Sequence, residues 1–401
     1  MWQKIKNYYH LTKSCLASIY YGFPSQKLDV IGITGTDGKT TTASMLYKIL
    51  KDNRAQVSII TSVNAQIGTQ TFETGFHVTT PSPWQVQRFL RKAVNSRSKY
   101  FILETTSHRL DQNIVANIDF AVGIITNITH EHLDYHKSWH NYAGAKAKLF
   151  KKSKVSVLNK DDSSFEVLKK VSKDKIVTYS LKGSADVTQV NYKLKLKVPG
   201  EFNMYNALAA SAAAQSLGIG KRQIIKSLNS FVGVKGRMEE VSAGQNFRAI
   251  VDFAHTPNGL KQALSALKNG KGNGHLIAVF GSAGLRDRAK RMQMGEIAAS
   301  IADISVLTAE DPRTEKVSKI IAEIAQGFKK LGKIENKDYF IVEDRGEAIN
   351  YAVKLAKKGD TVACFGKSHE KSMAYGKKEY PWDEFEAVKK SLKEKMKVSD
   401  G

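Results

Sequence analysis

Two consecutive α/β domains, each built on a mainly parallel sheet, are what this sequence predicts. Three observations carry the prediction. From Leu28 onward, short β-rich runs alternate with helical stretches, the pattern of a parallel sheet covered on both faces. A glycine-rich turn joins the first of these runs directly to a helix. Near Val232–Glu240 the texture changes: Gly233-Val-Lys-Gly-Arg237 has the composition of a linker, and a second alternating series follows it.

In the first series, strands are expected at Leu28–Thr34, Val57–Thr61, Tyr100–Glu104 and Phe120–Thr126, with helices at Lys39–Lys51, Trp84–Asn95 and Tyr142–Phe150. In the second, strands are expected at Ala249–Phe253, Leu276–Phe280, Ile304–Leu307, Tyr339–Val342 and Thr361–Phe365, with helices such as Thr314–Lys329 and Gly346–Lys357. The expected division is a short segment 1–27, a central domain 28–235 and a C-terminal domain 236–401. The central domain reads as a P-loop-type fold and the smaller one as Rossmann-like.

The 401 residues suit two or three domains, and 42% hydrophobic with 25% charged residues is ordinary for a globular chain. A net charge of +24 favours anionic partners. The lysines are spread along the chain without an aromatic-interleaved basic stripe, so anionic small molecules are expected and nucleic acid is not. Cys15 and Cys364 lie far apart and outside any metal-ligand spacing, which suits a reducing cytoplasm. No apolar run approaches the roughly 20 residues of a membrane span. Met1 to Phe23 is basic and aromatic, without the apolar core or cleavage site of a signal peptide. It suits either a helix packed on the next domain or a weak contact with a membrane surface through residues 1–23. The oligomeric state is left open.

The chemistry begins at Val30-Ile-Gly-Ile-Thr34, which runs into Gly35-Thr36-Asp37-Gly38-Lys39-Thr40-Thr41. A buried strand, a glycine turn and a Lys-Thr pair opening a helix form the setting of a phosphate loop. Glycines let backbone N–H groups close around phosphate oxygens, and the helix N-terminus adds positive potential. Lys39 is placed to reach the outer phosphates and Thr40 to ligate Mg²⁺. Glu104 ends a strand expected in the same sheet, a fitting place for a Mg²⁺ carboxylate. After the next strand, His130, Glu131, His132, Asp134 and His136 crowd into seven residues. No supporting helix pattern makes them a zinc site, so a metal–nucleotide site is the expectation.

These motifs together resemble the Mur ligases. The loop Gly35–Thr41, Glu104-Thr-Thr-Ser-His108, Asn127 with Glu131-His-Leu-Asp-Tyr-His136, and Tyr142-Ala-Gly-Ala-Lys146 follow in that family's order and spacing. So do Gly200-Glu-Phe-Asn203-Met-Tyr-Asn206, Gly233–Glu239, Val251–Pro257, Phe280–Asp287, Asp311-Pro-Arg313 and Gly366-Lys-Ser-His-Glu370. The resemblance runs from about Leu28 to the end and is closest to the MurE type, which adds the third residue of the muramyl peptide.

The resemblance implies an ATP-dependent ligase. A substrate carboxylate takes the γ-phosphate to give an acyl phosphate, and an amine then displaces it to form an amide. It implies two Mg²⁺ ions, with Thr40, Glu104, His132 and Lys146 as their holders, the last as a CO₂-derived carbamate. Lys39, Glu104, His132 and Lys146 are the catalytic set. Besides the loop residues, Asn203, Asn206, Arg237 and Asp252 are implied for the nucleotide, with the second domain closing over it. Thr79, Thr80, Thr106 and Ser107 are implied on the acyl side. Arg286, Asp311, Arg313, Gly366 and Glu370 are implied for the incoming amino acid. Arg313 favours diaminopimelate, while Asp311 keeps lysine open.

The pattern departs from the family in three places. Glu131 stands where Asp is usual, and Ile114 stands where a substrate-side arginine is expected. Residues 1–27 are too few to enclose the UDP-gripping domain that MurE-type enzymes carry in front of the core. These departures imply an acyl substrate other than the standard UDP-linked dipeptide or one held differently, so a nucleotide-sugar peptide leads and another anionic small molecule stays open. A folylpolyglutamate- or polymer-synthetase-like ligase of the same fold is the alternative, and a non-enzymatic nucleotide-binding protein is a third class that the intact Lys39, Glu104, His132 and Lys146 disfavour.

Overall fold

The computed structural model describes residues 2–72, 80–129, 131, 133–270 and 274–399. The chain forms two compact units, residues 1–197 with 201–232, and residues 198–200 with 233–401.

The first unit carries nine strands: β1 (Asp29–Thr34), β2 (Val57–Ile60), β3 (Ala65–Ile67), β4 (Gln70–Phe72), β5 (Tyr100–Glu104), β6 (Phe120–Ile125), β7 (Ser153–Asn159), β8 (Lys175–Ser180) and β9 (Val187–Thr188). Their order in the sheet is β4-β3-β2-β5-β1-β6-β7-β8-β9. All neighbours pair in parallel except at the β2–β3 and β3–β4 contacts. β1 therefore lies between β5 and β6, and their carboxyl ends deliver the phosphate loop, Glu104 and Thr126 side by side. β1 and β5 are apolar runs buried on both faces, as central parallel strands must be.

One face is covered by the helix Pro83–Asn95 and the helix Trp139–Phe150, with Val86, Leu90, Tyr142 and Leu149 in a core shared with Val30, Phe101 and Phe120. Ser82 caps the first of these helices in a reciprocal box with Gln85, and Pro83 supplies a ready helical φ. The helix Lys39–Asp52 packs with the alanine-rich helix Glu201–Ser216, whose small side chains permit a close approach. The segment before β1 is a helix, Trp2–Tyr20, lying against Pro83–Asn95.

The second unit has a six-stranded sheet: β10 (Glu239–Glu240), β11 (Arg248–Asp252), β12 (Leu276–Phe280), β13 (Ile304–Leu307), β14 (Tyr339–Ile341) and β15 (Thr361–Phe365). The order is β10-β11-β15-β12-β13-β14, antiparallel only at β10. A hairpin of β16 (Ser372–Tyr375) and β17 (Lys378–Pro381) follows. Two apolar cores sit on the two sides of this sheet, as a doubly wound fold requires.

The helix expected from Thr314 starts at Val317 instead. Asp311 and Arg313 adopt positive φ of 44° and 53°, so the chain before Val317 is a tight loop rather than a helical turn. β7, β8 and β9 were not expected. Their runs are short and broken by lysine, serine and threonine, and packing against Glu201–Ser216 completes them.

Candidate active site

In the first unit the loop after β1 is held by the chain after β6. Thr36 N–H donates to Asn127 O at 2.9 Å and Asp37 N–H to Asn127 Oδ1 at 3.0 Å. Asn127 Nδ2 and Thr126 Oγ1 donate to Asp37 O at 3.2 and 2.6 Å. Thr36 Oγ1 lies 3.0 Å from Tyr142 Oη and accepts from Thr129 N–H at 3.0 Å. Gly35 (φ 150°) and Gly38 (φ 81°) are required here: a Cβ would collide with Thr126 Oγ1 at the first and with Asn206 Oδ1 at the second. Gly38 also caps Lys39–Asp52 without a side-chain hydrogen bond, so the N–H groups of its first turn suit an anion.

Two amines converge on one carbonyl of this loop. Lys39 Nζ donates to Gly35 O at 3.2 Å and to Thr36 O at 2.7 Å. Lys146 Nζ donates to the same Gly35 O at 2.7 Å, beneath the Tyr142 ring at 4.4 Å. Lys146 is 1% exposed. Burial, reinforced by the Lys39 charge, holds its pKa well below the ordinary lysine value.

Glu104 is buried and accepts at Oε2 from Thr40 Oγ1 at 2.9 Å and from Ser62 N–H at 3.0 Å. Thr40 Oγ1 is also 2.9 Å from Ser62 Oγ. A buried carboxylate with neutral donors, touching the phosphate-loop hydroxyl, is a donor set that fits Mg²⁺. Among the described residues no three His, Cys, Asp or Glu side chains converge. His132, expected as a further ligand, and Thr79, expected on the substrate side, lie outside the described residues.

The other expected residues of this unit take local partners. Thr41 is buried in the first turn of its helix. Asn206 accepts from Thr42 Oγ1 and donates to Asn203 Oδ1, both at 3.3 Å. Thr80 Oγ1 donates to Glu104 O at 3.1 Å. Thr106 caps Ser107–Asp111, and Ser107 Oγ meets His136 Nε2 at 3.0 Å. Ile114 is part of the core. Ser62 and the Thr126–Asn127 clasp went unnoticed as site residues, because their roles depend on pairings across the sheet.

In the second unit the cluster is ionic. Lys367, fully buried, donates to Asp311 Oδ1 at 2.9 Å and to Glu370 Oε2 at 2.7 Å. Asp311 Oδ1 also accepts from Ala374 N–H at 2.9 Å, so its carboxylate fastens the loop to the hairpin. Arg313 Nη1 donates to Gly284 O at 2.5 Å, and its backbone bridges Ala374 and Gly376. Arg345 is buried against Glu384 and also donates to Ala309 O and Phe365 O. Between these groups lies Glu310, whose Oε2 is buried with no hydrogen-bond partner among the described residues. Burial pushes its carboxyl up to about 7, against the pull of Lys290, Arg345 and Lys367. Gly366 passes so close that a Cβ there would meet this carboxylate.

Arg286 is exposed. The Arg237 guanidinium stacks on the Phe253 ring at 4.3 Å. Asp252 accepts from Met238 N–H and Ala254 N–H, each at 2.8 Å, and burial raises its carboxyl despite Arg237. Lys367 and Glu310 are not among the residues expected from sequence, although Lys367 lies within the Gly366–Glu370 motif and Glu310 directly precedes Asp311.

Residues 33–214 match the Mur ligase middle domain, and residues 236–368 match the Mur ligase glutamate ligase domain. The chain belongs to the Mur ligase family. It is accordingly an ATP-dependent ligase, a class that works with Mg²⁺. It is 40% identical, over 95% of its own length and 82% of the relative's, to the UDP-N-acetylmuramoyl-L-alanyl-D-glutamate–2,6-diaminopimelate ligase of Caldanaerobacter subterraneus subsp. tengcongensis. It is 38% identical to the UDP-N-acetylmuramyl-tripeptide synthetase of Borreliella burgdorferi, over 94% of this chain and 79% of that one. Among solved structures, a UDP-N-acetylmuramoyl-L-alanyl-D-glutamate–2,6-diaminopimelate ligase aligns with TM-score 0.62 at 29% identity, covering 92% of this chain and 79% of that one. Folylpolyglutamate synthase of Mycobacterium tuberculosis aligns with TM-score 0.70 at 16% identity, over 90% of this chain and 93% of that one, a likeness of fold alone. Among the described residues no helix is long and apolar enough to cross a membrane.

Proposed function

We propose that this ligase joins diaminopimelate to the carboxylate of a UDP-muramoyl dipeptide, in the cytoplasm, through an acyl phosphate. The observation that carries the ligase chemistry is the pair of amines on Gly35 O. A neutral Lys146 amine attacks CO₂, forming an N–C bond and releasing one proton, and becomes an anionic carbamate. That change sets an anion beside the Lys39 amine, which shares Gly35 O with it. Thr40, Glu104, His132 and the modified Lys146 would hold Mg²⁺, which offsets charge on the transferring phosphoryl group.

This chain's own groups then have separable tasks. Gly35–Thr41 wraps the phosphates with backbone N–H groups, and Lys39 leaves its carbonyls to neutralise the outer phosphates. Asn203 and Asn206 are assigned to adenine, Asp252 to the ribose and the Arg237 guanidinium to phosphate. Thr79, Thr80, Thr106 and Ser107 border the acyl substrate. Thr106 and Ser107 do so through the turn they shape as much as through their hydroxyls.

On the amino-acid side, Arg286 and Arg313 suit two carboxylates, one at each end of diaminopimelate. Support comes from Asp311. Its engagement with Lys367 and Ala374 makes it a brace for Arg313 more than a reader of a free lysine amine. Gly366 and Glu370 complete that pocket.

The test is ADP release with UDP-muramoyl dipeptide and, separately, diaminopimelate or lysine, repeated with an acyl substrate lacking UDP and with a folate. Turnover only with the muramyl dipeptide and diaminopimelate is expected. A preference for lysine would overturn the acceptor assignment, and turnover only with folate or another carboxylate would overturn the acyl assignment.

A further inference from the structure

The helix Trp2–Tyr20 is amphipathic in the reverse sense. Its inner face is small and polar. Ala17 is buried, Ser14 Oγ donates to Asn113 O at 2.8 Å and Ile114 O at 3.0 Å, and Asn7 Nδ2 donates to Asp111 Oδ2 at 3.4 Å. Its outer face carries Ile5, Tyr8, Tyr9, Leu16, Ile19 and Tyr20, each 53% to 73% exposed. At about 100° per residue these six side chains fall within a sector of roughly 120°, which also holds the exposed Thr12, so they form one mainly apolar stripe. Surface helices ordinarily turn such a stripe inward. At its end, Tyr20 meets Trp84 edge-on at 5.5 Å, and Trp84 is itself 38% exposed.

Charge accompanies the stripe. Lys6, His10 and Lys13, at i, i+4 and i+7, run along one flank. Arg109 acts on His10 together with Lys6 and Lys13, and His10 Nδ1 is buried with no partner among the described residues. Residues 1–28 contain no Asp or Glu. Beyond the helix lies an open cleft of about 690 Å³ whose lining holds six lysines and three aspartates, Asp29, Asp119 and Asp174.

We propose that this helix lies in the plane of an anionic lipid surface, its stripe from Ile5 to Tyr20 entering the acyl boundary and Lys6, Lys13 and Arg109 facing headgroup phosphates. Interfacial helices join this kind of apolar face to a cationic border, and tyrosine and tryptophan suit the headgroup level. A second copy fits the face poorly, because a twofold pairing would set lysines against lysines with no carboxylate to answer them. The inference is independent of the substrate assignment.

The experiment is flotation of the full chain with vesicles of phosphatidylcholine alone or mixed with phosphatidylglycerol, at low and high salt. Binding is expected only with the anionic lipid and is expected to weaken with salt. The variant Ile5→Ser/Leu16→Ser/Ile19→Ser should lose on the order of tenfold or more in affinity. Lys6→Gln and Lys13→Gln should each lose about fivefold, with a shallower salt dependence. Melting temperature and lipid-free ADP release should stay as in the parent, which separates this result from a folding or substrate failure. Three results would overturn the proposal: no binding to anionic vesicles, equal binding by the triple variant, or a lipid-free dimer that the triple variant dissolves.

Discussion

The carboxyl ends of the two sheets solve opposite problems. In the first unit, the loop after β1 is clasped by backbone groups and neutral side chains, and two lysine amines share one of its carbonyls. In the second, lysine and arginine are already matched to carboxylates inside the protein, Lys367 to Asp311 and Glu370, and Arg345 to Glu384. Amines gathered on one carbonyl beside a helix N-terminus suit a strongly charged, transient guest. A neutralised lattice fixes shape, and a guest must be read by what the lattice leaves over, such as Arg313. The family's two tasks, activating a carboxylate and choosing an amine, thus rest on different physics.

The comparison can be broken most directly at Lys146. Lys146→Ala should lower ligation at least roughly a hundredfold, with no rescue by bicarbonate, while the fold persists. Turnover near the parent value, measured as ADP release, would show that the amine is not the element that matters. Next in size is Arg345→Met. Stranding the Glu384 carboxylate should destabilise the second unit by about 3–5 kcal/mol, read by denaturant melts. A loss below about 1 kcal/mol would mean that the lattice does not fix shape.

Lys367→Met should act more selectively. It frees Asp311 and Glu370, so the KM for the amino acid should rise about tenfold or more while the KM for ATP holds. Equal changes in both would place Lys367 outside acceptor recognition.

The effect at Glu310 is confined to a pH window. The folded carboxyl is raised to about 7 from 4.5, so the folded state binds the proton more tightly than the unfolded chain. Its contribution is therefore fully present below pH 4.5 and is lost as pH rises to about 7, by at most on the order of 3 kcal/mol. Glu310→Gln should flatten that decline in a series of melts across this window. An unchanged slope would show that Glu310 does not titrate there.

Much of this contrast was legible in the sequence, and the reasons are specific. Tyr100–Glu104, Leu276–Phe280, Ile304–Leu307 and Thr361–Phe365 end where the apolar runs end, because strands buried on both faces have no other place to stop. The phosphate loop was legible because its glycines and Lys39-Thr40 are contiguous. Lys146 was not legible from its own surroundings, since Tyr-Ala-Gly-Ala-Lys reads as an ordinary helix face. Only the arrival of Trp139–Phe150 beside β1 buries that amine. Lys367, Glu310 and Arg345 stayed hidden for a related reason. A buried charge is recognised by its partner, and these partners come from different loops.

The position of β1 between β5 and β6 also orders events in time. The clasp on the phosphate loop comes from residues about ninety positions downstream, beyond a strand that must first pair with β1. While a chain is still emerging and ends before Phe120, it has the glycines, Lys39 and Thr40, yet lacks the Asn127 and Thr126 groups that set the loop's shape. Nucleotide affinity is thus a late acquisition in folding, gained with a long-range parallel pairing whose loop-closure entropy is met before any contact rewards it.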